Sequence, residues 1–299
     1  MNLVSETFFE IVDRDWNMDG QAEQARNKFD ALIRHGVQFS EFGTRRRRSY
    51  KTQDLILKEF ADKYHAQEAY NIDSNCNSNG HSLYDESKFM GRFLGTSNVH
   101  FAIKYDLKAV GTIAHEYIMA ESILHSSIDH ANLNAMNSWK SVYPTEFQTA
   151  LTDTYTTSLF MKDYGKEEAW HFKTLRQDSG DPFQFMDMAI KRWKELGLDL
   201  KDKSIIFSDS LNIEESVKIR QDALNKGIQP FFGIGTFFTN DFTSKDHSRL
   251  SHSLNIVMKL WTCNRQNVVK LSDTPGKVSG ESKAVEQVLA IVRGATMNS

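Results

Sequence analysis

The residues best suited to chemistry sit in short clusters, each placed where an apolar stretch gives way to a helix-like segment. Seven recur along the chain: Glu41-Phe42-Gly43-Thr44-Arg45, Gly95-Thr96-Ser97-Asn98, Gly111-Thr112-Ile113-Ala114-His115-Glu116, Thr152-Asp153-Thr154, Arg176-Gln177-Asp178-Ser179-Gly180-Asp181-Pro182, Ser208-Asp209-Ser210 and Gly233-Ile234-Gly235-Thr236. Glycines and hydroxyl residues let a backbone approach an anion, while arginines and carboxylates set a charge pattern around it. The chemistry such a set serves is the capture of a polar, anionic ligand by loops that follow strand ends.

Taken singly, each cluster has a plainer reading beside the chemical one. Four successive cations at Arg45 to Arg48 suit a solvated face, a nucleic-acid contact or a small-anion site. At a helix start the macrodipole opposes them, and negative charge nearby would relieve that conflict. Asp178 and Asp181 flank a Ser-Gly corner ahead of Pro182, where free N–H groups can bind an anion and carboxylates can accept from sugar hydroxyls or hold Mg²⁺ through water. The same corner also reads as an ordinary capped turn. Gly233-Ile234-Gly235-Thr236 resembles a phosphate-cradling turn, a weak signal alone, and Ser208-Asp209-Ser210 ends the preceding strand. His115 opens a helix next to Glu116, a place for a capping residue or for a proton-transfer or nucleophilic one. The other nine histidines show no ligand spacing, so no zinc site or Ser-His-Asp set is assigned, and no metal-ligating residue is named.

These clusters need elements to hold them. Strands are expected at 37–42, 92–95, 108–112, 148–152, 171–176, 204–208, 229–234 and 255–262, with Ile256–Cys263 and Asn267–Leu271 forming a hairpin about Asn264-Arg265-Gln266. Helical spacing covers residues 6–35, with a break from Asp13 to Gly20, then Ser49–Tyr64, Glu116–Leu124, Phe183–Leu196 and Ile213–Lys226. Pro182 and Asn212 suit the starts of the last two. Residues 66–90, rich in Asn, Ser and Asp, read as a long surface loop. Strand–helix alternation with polar strand ends predicts the α/β class and a β/α barrel.

Composition narrows the setting. The chain has 299 residues, 40% hydrophobic and 25% charged, with a net charge of −3. That suits one large soluble domain or two ordinary ones and offers no pull toward nucleic acid or a membrane surface. Cys76 and Cys263 lie far apart, which argues against a secreted disulfide scaffold. Neither a secretory leader nor an apolar run near the ~20 residues of a membrane span is visible. The expected location is cytoplasmic.

Read in order, the clusters resemble the nicotinate phosphoribosyltransferase family of type II phosphoribosyltransferases. The matching stretches are FSEFGTRRRRS at 39–49, LGTSN at 94–98, GTIAHE at 111–116, LTDT at 151–154, RQDSGDP at 176–182, FSDSLN at 207–212, FGIGTFFTND at 232–241, LNIVMKL at 254–260 and KLSDTPGK at 270–277. The resemblance implies an irregular TIM-like β/α barrel over residues 37–299, with residues 1–36 as a helical remnant bordering an absent N-terminal domain. It implies transfer of the 5-phosphoribosyl group from phosphoribosyl pyrophosphate to nicotinate, in NAD salvage. ATP would be a co-substrate, with Mg²⁺, through a phosphohistidine at His115, and the protein would be a homodimer. Nicotinamide or quinolinate as the base, or a non-catalytic relative that binds phosphoribosyl compounds, are the alternatives.

By the same match, Asp178 joins His115 as catalytic. Arg176, Ser179 and Gly180 hold ribose and phosphates, while Asp209, Gly233, Gly235 and Thr236 meet the 5′-phosphate. Phe42 stacks on the pyridine ring, and Arg45 meets the nicotinate carboxylate or the pyrophosphate. Asp153 and Asp178 offset charge on the sugar as pyrophosphate leaves. Nicotinamide-using relatives carry Asp where Ser97 stands, and a carboxylate there would repel anionic nicotinate. Family members also carry about a hundred residues ahead of the segment matching Leu3-Val4-Ser5-Glu6. That region holds an Asp-x-Tyr-Lys motif, whose Tyr stacks on the base from the neighbouring subunit. The motif is not found in this chain, so this chain alone is expected to be weakly active or inactive.

Overall fold

The structure is a computed structural model and describes residues 2–11, 16–77, 91–143 and 147–297. The chain opens with helices α1 (Asn2–Ile11) and α2 (Gln21–Arg34), strand β1 (Gln38–Glu41), helix α3 (Tyr50–Asn77), strand β2 (Arg92–Thr96) and helix α4 (Val99–Lys104). Then come α5 (His115–Leu124), α6 (Ala131–Val142), β3 (Thr149–Leu151), α7 (Thr157–Asp163), α8 (Lys166–His171), β4 (Thr174–Gln177) and α9 (Pro182–Glu195). The remainder runs β5 (Ser204–Phe207), α10 (Ile213–Asn225), β6 (Gln229–Ile234), α11 (Thr236–Thr239), β7 (Thr262–Cys263), β8 (Gln266–Asn267) and α12 (Ser282–Met297). No described helix is long and apolar enough to cross a membrane.

The chain divides into two compact units, one of Met1–Gly111, Ser210–Arg220 and Phe231–Val257, the other of Thr112–Asp209, Gln221–Pro230 and Met258–Ser299. In the first, β1 pairs in parallel with both β2 and β6, Phe39 lying opposite Phe93 and Phe232. Phe39 and Phe93 are fully buried, with ring centroids 5.3 Å apart. Phe29 of α2 and Phe60 of α3 sit 5.3 Å from each other against the same rings, and Phe60 meets Phe238 of α11 edge-on at 4.9 Å. Burying such side chains contributes about 1.5–3 kcal/mol each, and edge-to-face packing adds direction to it. This aromatic core anchors the strands whose ends carry Phe42, Ser97 and Gly233.

In the second unit β4 is central, paired in parallel with β3 and β5, with Leu175 opposite Ala150 and Ile205. Helix α9 covers this set through Met186, Ala189 and Trp193, all fully buried. The Trp193 indole N–H donates to the Tyr164 hydroxyl at 3.2 Å, which donates to the Phe172 carbonyl at 2.5 Å, so both polar tips are satisfied in the core. Asp181 caps α9, accepting from the N–H groups of Phe183 and Gln184 at 2.9 and 2.8 Å, and Pro182 occupies the first turn. In the first unit, Asn212 accepts from the Glu215 N–H at 2.9 Å to start α10. Within each unit the parallel pairing brings the C-terminal strand ends to one edge.

Three sequence expectations change. No strand forms over 108–112; Ala109 makes one isolated bridge to Thr96, because β2 has turned away at Ser97-Asn98 to start α4 and leaves no ladder to extend. Nor does 255–262 form a long strand: the hairpin is limited to β7 with β8, around Asn264 and Arg265 at φ 48° and 61°, as a primed turn requires. Lys270 and Leu271 instead bond to Ser279 and Thr154. Residues 66–77 are helical, not loop: α3 continues because no Pro or Gly interrupts it from Tyr50 to Asn77. The rest of that expected loop, 78–90, lies outside the described residues, as do residues 12–15 of the break between the first helices.

Candidate functional site

In the second unit the polar residues of the strand ends meet around one imidazole. His115 is the first residue of α5, 7% exposed, its ring held between two strand-end loops. Its Nδ1 lies 2.9 Å from Thr154 Oγ1 after β3, and its Nε2 lies 3.1 Å from Asp178 Oδ2 after β4. Asp153 Oδ1 is 3.8 Å from the same Nε2. An ionised Asp178 can only accept, so Nε2 carries a proton in this arrangement, while the Thr154 hydroxyl suits either state of Nδ1.

Asp178 is held as an anion. Its Oδ1 accepts from Arg176 Nη2 at 2.6 Å and Ser208 Oγ at 2.8 Å. Burial opposes its charge, but Arg176, His115 and Ser208 outweigh that and hold the carboxyl well below the usual carboxylate range. Arg176 in turn is fixed at all three nitrogens, with Nε to Ser208 Oγ at 2.9 Å and Nη1 to Thr112 Oγ1 at 2.6 Å. A guanidinium fixed in this way is oriented before any ligand arrives.

Asp153 is the deepest member, at 0% exposure. Its Oδ2 accepts from Ser179 Oγ at 2.5 Å and lies 3.4 Å from Lys270 Nζ. Its Oδ1 is buried without a hydrogen-bond partner. Burial lowers the Lys270 pKa, while Asp153 and Asp178 pull it back up. One donor atom each from His115, Asp153 and Asp178 falls within 4.8 Å of the others, so this trio has the spacing to hold a metal ion.

The corner at 178–182 is both a capped turn and part of this cluster. The Gly180 N–H donates to Thr274 Oγ1 at 3.0 Å with φ at +79°, a left-handed conformation that favours glycine. Ser179 Oγ receives the Asp273 N–H at 3.1 Å. Asp209 pairs with Lys277 at 2.9 Å.

The first unit gathers a separate group. Phe42 follows β1, its N–H bonded to the Ile234 carbonyl at 2.8 Å. A Cβ at Gly233 would fall 2.6 Å from Phe42 Cδ2, and one at Gly235 would fall 3.0 Å from the Phe42 carbonyl oxygen. Both glycines are therefore needed for Phe42 to lie where it does. Thr236 begins α11, while Arg45 and Ser97 are exposed.

The arginine run is not one solvated face. Arg47 pairs with Glu6 at 2.6 Å. Arg48 is 1% exposed, its guanidinium 4.5 Å from the Phe9 ring centre and 4.7 Å from that of Trp16. The run also precedes α3 by a short 3₁₀ turn (Thr44–Arg46), which takes these cations off the helix N-terminus. Sequence reasoning assigned no role to Thr154, Lys270 or Asp273, and took Ser208 only as part of Ser208-Asp209-Ser210, a source of hydroxyl or backbone donors to a phosphate. Lys270 and Asp273 stand in the quoted KLSDTPGK stretch, but nothing in their types alone pointed to His115.

With this geometry in hand, comparison with known proteins is direct. Residues 37–292 match the model of the nicotinate phosphoribosyltransferase (NAPRTase) family. A Saccharomyces cerevisiae nicotinate phosphoribosyltransferase is 39% identical over 96% of this chain and 64% of its own length. One from Methanosarcina acetivorans is 34% identical over 98% of this chain and 68% of its own. The crystal structure of nicotinate phosphoribosyltransferase from Porphyromonas gingivalis superimposes with a TM-score of 0.82 at 34% identity, covering 97% of this chain and 68% of that one. The chain thus spans about two thirds of the length of these relatives, and only 64% of the yeast one. Its α/β fold is theirs, as the strand-end clusters led one to expect. The chain belongs to the nicotinate phosphoribosyltransferase family.

Proposed function

We propose that the chain carries the phosphoribosyl-transfer chemistry named in its relatives: nicotinate and phosphoribosyl pyrophosphate to nicotinate mononucleotide and pyrophosphate, in NAD salvage. ATP hydrolysis would drive it through a phosphohistidine at His115. The observation that carries this reading is the buried His115 imidazole against Asp178, itself fixed by Arg176, in a member of this family.

In the transfer, the bond from the sugar carbon to pyrophosphate breaks with its electron pair leaving on oxygen. The lone pair of the pyridine nitrogen then forms the new bond, with no proton moved. Positive charge grows on the sugar, which fixed carboxylates such as Asp178 stabilise without reorganising. In the coupling step, a phosphorus–nitrogen bond forms at His115 as ADP leaves, and water later breaks it. Nε2 is the ring atom nearest both carboxylates. Attack from Nε2 needs the other tautomer, with the proton on Nδ1 donated to Thr154 and the Nε2 hydrogen bond to Asp178 given up, so that Nε2 has its lone pair. Two carboxylates beside that atom would repel a phosphoryl group, and Lys270 offsets part of this charge.

Asp153 Oδ1, buried and without a partner, and Asp178 offer the hard oxygens that Mg²⁺ prefers, so these residues fit that ion. When bound, Mg²⁺ would neutralise pyrophosphate charge. Phe42, Arg45 and Ser97 would receive the base, Arg176, Ser179 and Gly180 the ribose and phosphates, and Asp209, Gly233, Gly235 and Thr236 the 5′-phosphate. Residues 37–299 would form the transferase domain of a cytoplasmic homodimer. The test is product analysis with the purified chain, phosphoribosyl pyrophosphate and each of nicotinate, nicotinamide and quinolinate, with and without ATP. A small yield of nicotinate mononucleotide, raised by ATP, is expected; product from another base alone, or no product together with no calorimetric binding of phosphoribosyl pyrophosphate, would overturn the reading.

A further inference from the structure

Glu41 ends β1 and is 0% exposed. A buried carboxylate with no task is a poor choice for a core, since an apolar residue of similar size would cost less. Three donors are aimed at this one. Oε1 accepts from the Gly43 N–H at 2.5 Å, Oε2 from Thr96 Oγ1 at 2.6 Å, and Gln53 Nε2 lies 3.0 Å from each oxygen. The backbone joins in, with the Ser97 N–H donating to the Glu41 carbonyl at 2.9 Å.

These donors belong to three different segments. Gly43 stands in the turn that carries Phe42 and Arg45, Thr96 ends the strand that leads into Ser97, and Gln53 lies on α3. Gln53 extends the net, donating to Thr44 Oγ1 at 2.8 Å and accepting from Arg47 Nη1 at 2.9 Å. Asn98 closes it from the other side, its N–H to Thr96 Oγ1 and its Nδ2 to Thr44 Oγ1, both at 3.1 Å. Burial pushes the Glu41 carboxyl up, against the pull of Thr96, Gly43, Gln53 and Arg47.

We propose that Glu41 is a positioning residue: the common acceptor that locks the Phe42–Arg46 turn to the Ser97 loop and so sets the spacing of the groups that meet the base. The proposal rests on the nicotinate reading above for its ligand, but its structural core does not. Both loops carry side chains that are exposed or half-buried, so a shared buried acceptor is what keeps them in register.

Glu41→Gln tests it with little change in size. The amide nitrogen must replace one oxygen: facing the Gly43 N–H it sets donor against donor, and facing Thr96 it reverses that bond and takes away the acceptor of the hydroxyl proton. Losing bonds to a charged acceptor at this position predicts a rise in KM for nicotinate of roughly tenfold or more, with KM for phosphoribosyl pyrophosphate changed less than about twofold. Thr96→Val should reproduce the split, and Thr96→Ser, which keeps the hydroxyl, should restore it. Hydrogen exchange should quicken at the amides of Gly43 and Ser97 together in Glu41→Gln, with the amides of β5 unchanged. An unaltered nicotinate KM in an active, folded variant overturns the proposal. So does unaltered exchange at either amide, and that measurement decides even if the wild-type chain makes no nicotinate mononucleotide, which would count against the function and not against the lock.

Discussion

Asp178→Asn removes one charge from the centre of the second unit while keeping the side chain's shape. Asp178 receives three donors, from Arg176, Ser208 and His115, at 2.6, 2.8 and 3.1 Å. Hydrogen bonds to charged groups are worth ~1.5–3 kcal/mol and neutral ones ~0.5–1.5 kcal/mol. An asparagine turned with its oxygen toward Arg176 and Ser208 keeps both contacts in weakened form and sets its amide against His115. The Asp178 side chain is 24% exposed, so water screens part of the difference. The net loss should be about 1–3 kcal/mol at pH 7. Its pH dependence has a fixed sign. The folded carboxyl titrates below the unfolded one, so its contribution is complete above the unfolded value of ~3.9 and is lost as pH falls further. Urea unfolding of wild type and variant from pH 7 down to pH 3 checks both claims. The gap should hold from pH 7 to about pH 5 and narrow below pH 4. Equal stability at pH 7, or a gap that widens in acid, would refute the idea that Asp178 is an anion clamped by Arg176 and His115.

Two further substitutions probe the first unit. Gly233→Ala places a Cβ 2.6 Å from Phe42 Cδ2, so the ring must shift; overpacking of this kind costs about 1–3 kcal/mol, read by denaturant unfolding, and nicotinate affinity should fall with it. An unchanged midpoint would mean that Phe42 has room elsewhere. Ser97→Asp should weaken use of nicotinate by about 1–3 kcal/mol in kcat/KM, because a carboxylate would face an anionic base. Steady-state kinetics that show no change would remove Ser97 from the base pocket.

Much of the fold was legible because its units are short and locally consistent. β1, β2, β5 and β6 fall within a residue or two of their expected positions, since each apolar run ends at glycine, serine, threonine or aspartate. The Asp181-Pro182 start of α9 is a local signal that no tertiary contact needs to rescue. What stayed hidden depends on partners distant in sequence. Residues 108–112 alternate like a strand, yet a strand also needs a ladder, and only Thr96 is there to bridge.

The site divides the same way. His115, Asp153, Asp178 and Arg176 could be named because they stand in stretches that resemble the family's; their types and placement alone left a capping histidine or a capped turn as the plainer reading. The burial of Arg48 could not, because Phe9 and Trp16 fold back onto it from 39 and 32 positions away. Lys270 and Glu41 stood in the quoted stretches but drew no role of their own, for a related reason. A lone lysine or glutamate in a strand-like stretch reads as a polar, solvent-facing residue until its burial is known.

In the proposed reaction, ATP energy enters through the His115 imidazole. Mass spectrometry of the wild-type chain after incubation with ATP and Mg²⁺, under alkaline conditions that preserve phosphohistidine, tests this most directly. The prediction is one acid-labile phosphoryl group on the peptide bearing His115, lost when phosphoribosyl pyrophosphate and nicotinate are added, and never formed by His115→Ala. A wild-type chain that couples ATP hydrolysis to nicotinate mononucleotide formation with no phosphoryl group on His115 would contradict it.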